Sequence, residues 1–370
     1  MPSFLNLPDE KYSGDSRSRR ILASALEGKR LCMDDAVYLL QKADLLSLGR
    51  VAQGVCRQKH PGGIVTFVID RNVNYTNVCT CQCRFCAFYR PPGHPKAYLL
   101  DLDAVARKVE EAVSQGATQI MLQGGLHPGL DLDYYQNLIS FIKSKFNVTI
   151  HSFSPPEIDH IARTSGIPVE EVLRELMDAG LDSLPGGGAE ILVDRVRRLI
   201  SPNKISAGRW LKVMEKAHQL GLRSTATMMM GSVETIAERV QHLEAVRRLQ
   251  DQTGGFRAFI AWTFQPRNTQ LGGGYLPVLE YLRTLAVARL YLDNIQHLQG
   301  SWVTQGPAIG QITLAFGAND LGSIMLEENV VRAAGTSHRI TVSEIVRLIR
   351  AAGRVPAQRD TSYRILRRFE

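Results

Sequence analysis

Short strand-like runs, the first of them β-branched, alternate with amphipathic helical stretches along most of this chain, and that alternation restricts the fold more than any other feature. The first run, Ile64-Val65-Thr66-Phe67-Val68-Ile69-Asp70, follows the turn Pro61-Gly62-Gly63. Further runs fall at Thr118–Gln123, Val148–Phe153, Leu181–Leu184, Arg223–Met229 and Arg257–Phe264, with shorter ones at Leu292–Leu298 and Ile312–Phe316. Between them, Leu102–Gln115, Tyr134–Lys145, Val169–Ala179, Ser206–Leu220 and Thr235–Thr253 carry the apolar period of helices packed on one side. Gly116, Gly180, Gly221 and Gly254 stand where these helices should stop, because a left-handed terminal residue suits glycine best. A helix between two strands carries the chain back across the sheet, so the next strand runs parallel. The pattern predicts an α/β fold, a (βα) TIM-like barrel of eight strands, six of them with strong signatures. Residues 1–60 read as an N-terminal helical extension, with Arg20–Leu26 stopped by Gly28, then Met33–Ala43 and Gly49–Cys56. The barrel is predicted over 61–331, and an Arg-rich helical segment over 332–370.

Composition narrows the class. With 370 residues, 44% hydrophobic and 22% charged, the chain is globular rather than disordered, collagen-like or disulfide-stapled. No apolar run approaches the roughly 18 residues that cross a bilayer. Residues 1–20 mix charges of both signs with no apolar segment, so the expected location is cytoplasmic, with no membrane partner. Net charge is +8, and from Arg332 onward nine Arg face Glu344, Asp360 and Glu370. Aromatic residues do not interleave with these cations, so a solvated helical face is expected there and no nucleic-acid partner.

In a barrel of this kind, chemistry sits on the loops leaving the C-terminal ends of the strands. Here those loops are polar, Gly-rich or Pro-rich, and the first holds the densest chemistry. Of six cysteines, Cys79, Cys81, Cys83 and Cys86 fall within eight residues, which in a cytoplasmic chain reads as metal binding rather than disulfides. Cys79, Cys83 and Cys86 have the spacing CxxxCxxC. Three thiolates on one loop hold three irons of a cubane 4Fe–4S cluster and leave the fourth open. An open position is what makes a bound metal reactive. A structural zinc site would need a further ligand, and no second CxxC pair occurs; a closed cluster using Cys81 too is sterically awkward. Cys32 and Cys56 read as small buried hydrophobes.

The three-cysteine motif after the first barrel strand, with aromatic Phe85 before its last cysteine, resembles the radical S-adenosylmethionine (SAM) enzymes. Asn74-Tyr75-Thr76-Asn77-Val78-Cys79 and Cys86-Ala87-Phe88-Tyr89-Arg90 are similar to the branch serving futalosine-dependent menaquinone synthesis and deazaflavin synthesis. His151-Ser152-Phe153-Ser154-Pro155-Pro156-Glu157-Ile158, Ser183 to Glu190, Thr225 to Met229 and Ser301-Trp302-Val303-Thr304-Gln305-Gly306 resemble the futalosine cyclases within it. One departure is Cys81-Gln82, where relatives usually carry a small residue; it leaves a spare thiol beside the cluster.

The resemblance implies two cofactors, the 4Fe–4S cluster and SAM. It implies a nucleoside-like substrate, dehypoxanthine futalosine, cyclised by hydrogen removal from ribose C4′ and addition of that carbon to the benzoate ring. It also implies an electron donor such as flavodoxin or ferredoxin, and a homodimer is an expectation. Gln123, Gly124 and Gly125 fall where the family binds the methionine end of SAM, and Phe85 near the adenine. Ser154 and Glu190 are candidates for ribose hydroxyls or substrate. His151, Glu157 and Asp320 are candidates for the base that takes the ring proton, with Asp293 a further strand-end acid. Arg84, Arg90 or Arg267 is expected to clamp the benzoate. Met228-Met229-Met230 is expected to be core.

Overall fold

The computed structural model describes residues 14–369. Its strands are β1 (Ile64–Val68), β2 (Asp70–Val73), β3 (Gln119–Leu122), β4 (Thr149–Ile150), β5 (Ser224–Met230), β6 (Phe256–Thr263), β7 (His297–Gln299), β8 (Asp320–Ser323), β9 (Val355–Arg359) and β10 (Ile365–Arg368). β1 fills the predicted first strand, and past Ile69 the chain continues it as β2, which reaches three residues beyond the predicted end at Asp70. β1 pairs with β8, Thr66 opposite Asp320, and β2 with β3, Asp70 opposite Gln119. β3 pairs with β4, β5 with β6, β6 with β7 and β7 with β8, all parallel. Between β4 and β5 only single bridges continue the ring, His151 to Ser183 and Leu184 to Ser224. Eight strand positions thus close into the (βα) barrel that the alternation predicts.

Two expectations change. Ile312–Phe316 is not a strand: helix Pro307–Thr313 takes its first half, and the eighth strand is β8, further along. Pro307 opens that helix, where its missing N–H is no loss. The Arg-rich end is not wholly helical either. After helix Val342–Ala351 the chain forms β9, which runs parallel to β1 with Ile64 opposite Val355, and β10, which returns antiparallel. Once β2 bends to β3, the first half of β1 has an open edge of N–H and C=O groups; β9 fills it. The stretch from β9 to β10 is therefore built into the barrel floor, while Ala333 and Thr336 bond to the loop after β6.

The four glycine stops lie at positive φ: +86° at Gly116, +115° at Gly180, +85° at Gly221 and +61° at Gly254. The N-terminal extension forms α1 (Ser16–Leu26), α2 (Met33–Lys42) and α3 (Leu45–Lys59). They pack on helices Ile236–Thr253 and Val278–Tyr291 and reach the turn ahead of β7. There Lys59 Nζ donates to the Asp293 carbonyl at 2.6 Å, and Arg30 pairs with Asp251 at 2.7 Å and Asp293 at 2.9 Å. Asp293 is thus a brace at the lower end of the barrel and no catalytic acid. Met228, Met229 and Met230 are fully buried core, as expected.

Strand alternation decides what faces inward. On β3, Ile120 and Leu122 point into the helical layer and are fully buried, whereas Gln119 and Met121 point inward. Asn72, Thr225, Thr227 and Gln299 do the same from other strands. Most barrels fill this space with layers of branched apolar side chains. Small and polar residues here leave it open.

Candidate active site

The opening is a cavity of about 370 Å³ that runs from the cysteine loop at the mouth to Arg359 and Tyr363 on the floor. That volume lies in the range of small-molecule sites.

The cysteine loop is tethered before it reaches the cavity. Asn74 Nδ2 donates to the Gln123 carbonyl at 2.9 Å, Thr76 Oγ1 to that of Tyr98 at 2.6 Å and Asn77 Nδ2 to that of Lys96 at 2.8 Å. The Asn74–Asn77 motif is therefore scaffold. Cys79, Cys81, Cys83 and Cys86 all line the cavity. Hydrogen bonding from the Cys81 thiol pulls Cys79 down to about 6 and lowers Cys83, while Cys81 is raised and keeps its proton. Burial pushes Cys86 up to about 11. Among the described residues no three His, Cys, Asp or Glu side chains converge on a single ion. Neighbouring soft thiols, two of them biased toward thiolate, form a donor set suited to an iron–sulfur cluster.

Gly124 and Gly125 line the cavity for a packing reason that spacing does not reveal. A Cβ on Gly125 would lie 2.1 Å from the Val78 carbonyl oxygen, and one on Gly124 2.4 Å from the Tyr75 ring. The absence of side chains lets the loop after β3 lie directly on the cysteine loop. Glu157 braces the same place. It accepts from the Tyr75 hydroxyl at 2.9 Å, the Gly124 N–H at 3.0 Å and the Ser154 hydroxyl at 2.7 Å. Burial raises its carboxyl to about 7 despite these three donors.

Glu190 lines the cavity with φ at +42°, an unusual backbone for a side chain of its size. Its Oε1 is 3.0 Å from Lys204 Nζ, while Oε2, 3.5 Å from Arg197 Nη1, accepts no hydrogen bond although buried. A ligand hydroxyl would satisfy that atom. Lys204 also stands 5.0 Å over the Phe85 ring. Burial opposes its charge, but Cys83 and Glu190 outweigh this and hold the ammonium above its ordinary range. Nothing local in Ser201-Pro202-Asn203-Lys204 marks this residue, since its partners lie on other loops.

His151 lines the cavity, with Nδ1 2.6 Å from Ser183 Oγ, and burial keeps its imidazole neutral. Asp320 departs from expectation. Its carboxylate receives Arg359 Nε at 2.7 Å and Nη2 at 3.2 Å, Thr66 Oγ1 at 2.5 Å and the Gly322 N–H at 2.7 Å. All of its acceptor capacity is used, so it is a structural anion rather than a base. None of the three expected clamps reaches the cavity: Arg84 bonds the Leu199 carbonyl, Arg90 the carbonyls of residues 87–89, and Arg267 is exposed. The cations lining it, among the described residues, are Lys204, Arg257 and Arg359.

A closed (βα) barrel, open inside, with clustered thiols on the loop after its first strand defines a cluster-dependent enzyme. The Radical SAM superfamily model matches residues 73–246, and that of the CofH/MqnC C-terminal region matches 253–369. The chain is 50% identical over 355 residues to cyclic dehypoxanthine futalosine synthase of Halalkalibacterium halodurans, covering 95% of each. It is 42% identical over 361 residues to aminodeoxyfutalosine synthase of Thermus thermophilus, covering 95% of this chain and 97% of the relative. The crystal structure of methylornithine synthase (PylB) superposes with a TM-score of 0.73 at 19% identity, covering 91% of this chain and 97% of that one, and so shares the fold. This chain belongs to the radical SAM superfamily and, within it, to the CofH/MqnC family. Membership implies SAM and an iron–sulfur cluster.

Proposed function

We propose that this enzyme cyclises dehypoxanthine futalosine to cyclic dehypoxanthine futalosine in menaquinone biosynthesis. The observation that carries this reading is the 50% identity to a synthase of that name over 95% of both chains, against 42% to an aminodeoxyfutalosine synthase.

Cys79, Cys83 and Cys86 would hold three irons of a 4Fe–4S cluster, with SAM at the fourth. When bound, the two supply the 5′-deoxyadenosyl radical that removes hydrogen from ribose C4′. The rest is the work of the chain. The backbone of Gln123, Gly124 and Gly125 would border the methionine end and Phe85 the adenine, and Ser154 and Glu190 Oε2 would meet ribose hydroxyls or substrate. The barrel wall holds the ribose against the aromatic ring; such orientation is worth roughly 7–11 kcal/mol in favourable intramolecular reactions. It also shields a reactive alkyl radical from water and stray C–H bonds. Glu157, held near neutrality, is the better of the two remaining proton acceptors, and His151, neutral and bonded to Ser183, positions the substrate. A small reductant, flavodoxin or ferredoxin, delivers the electron, and the expected setting is the cytoplasm.

The test is anaerobic turnover of reconstituted protein with dithionite, SAM and dehypoxanthine futalosine. Cyclised product is the expected result. Release of 5′-deoxyadenosine without cyclised product would reject the substrate and retain the radical chemistry.

A further inference from the structure

Three cations line the cavity, and two are neutralised: Lys204 by Glu190 and Arg359 by Asp320. Arg257 is not. Its Nη2 donates to Ser183 Oγ, its buried Nε has no partner, and among the described residues no carboxylate pairs with it. Its placement is built in. Ser224 pairs with Phe256, but the next residue, Thr225, pairs with Ala258, so Arg257 is the extra residue of a β-bulge. Bulges redirect side chains, and this one turns a guanidinium into the barrel beside His151 and Ser183. Burial without a counter-ion pushes Arg257 down to about 10. A buried, uncompensated cation is unfavourable unless an anion completes it.

We propose that Arg257 receives the carboxylate of the ligand held in the barrel, gripping it at the floor while the rest of the ligand extends toward the thiols. This rests on the futalosine reading, whose substrate carries one carboxylate on its benzoate ring. The edge formed by the unpartnered Nη1 and the second N–H of Nη2 suits a planar anion; the other Nη2 N–H, on Ser183, holds the guanidinium in place. The floor thereby sets which end of the substrate lies deep and which meets the mouth.

Titration calorimetry of the full, cluster-loaded chain with benzoate and its neutral isostere benzamide tests the assignment. The wild type should prefer benzoate by about tenfold or more, as for a hydrogen-bonded charge. Arg257→Met should erase the preference, and Arg257→Lys should keep part of it. In turnover, Arg257→Met should raise KM for dehypoxanthine futalosine about tenfold or more, with substrate-free cofactor cleavage unchanged. Arg257→Gln, which can still bond Ser183, carries the same expectation should the Met variant not fold. Equal binding of the two probes by wild type, or a benzoate preference that survives in the Met or Gln variant, overturns the assignment. A wild type that binds benzoate but forms no cyclised product overturns the reaction and leaves Arg257 standing.

Discussion

At the scale of single residues, four thiols on one loop do two jobs. Cys81 shares its proton with Cys79 and Cys83, and its Sγ lies 3.6 Å from the Asn203 carbonyl. Cys81 is therefore expected to steady the loop rather than to complete the ligand set. Cys83→Ala should abolish cluster assembly and turnover, whereas Cys81→Ala should retain both; iron and sulfide content of anaerobic preparations decides it. Glu157 makes a second residue-level prediction. Burial raises its pKa to about 7 in the folded state, above the ordinary 4.5. The folded chain thus keeps a proton that the unfolded chain releases, so this stabilisation is complete below pH 4.5 and is lost as pH rises through 7. Glu157→Gln cannot ionise. Relative to wild type its thermal stability should improve between pH 5 and pH 8, by up to about 3 kcal/mol. Its cyclisation should fall while 5′-deoxyadenosine release persists. The cysteines, Glu157, Glu190 and the paired glycines were legible as cavity-lining residues because each follows closely on the C-terminal end of a strand position, Glu157 in the first turn of helix Pro155–Ser165. Lys204, Arg257 and Arg359 were not, because cavity cations are assembled from segments far apart in sequence.

At the scale of elements, the loop after β3 is pressed onto the loop that carries the cysteines. Gly125 is the contact, with room for hydrogen alone against Val78. Gly125→Ala must move one loop or the other. An overpacking cost of about 1–3 kcal/mol is expected, with iron content falling further than stability does. Unfolding curves and iron assays on the same preparation separate the two effects. The strands were legible where apolar runs were long, as in β1, β5 and β6. Leu181–Leu184 shrinks to single bridges, and Ile312–Phe316 ends a helix that Pro307 opens just ahead of it and passes into a turn. A short apolar run does not by its period say which it will be.

For the molecule as a whole, the carboxyl end closes the barrel from below. β9 lies along β1, and Arg359 from β9 neutralises Asp320 from β8, both side chains almost wholly buried. Arg359→Met would leave that carboxylate buried beside only Thr66 and the Gly322 N–H. The expected loss is about 3–5 kcal/mol in chemical denaturation, partly restored by adding Asp320→Asn. The order of strands and helices, and the thiol loop at the mouth, were written in local patterns: apolar period, glycine stops and cysteine spacing. Those rest on interactions among near neighbours, which composition and order are enough to specify. The open interior, the bulge that turns Arg257 inward, and the strand that makes a floor from an apparently helical tail were settled by closure of the ring. Closure sets which edges remain unpaired and which charges meet, and both depend on contacts between segments well separated in sequence, β1 with β8 and β9 most of all.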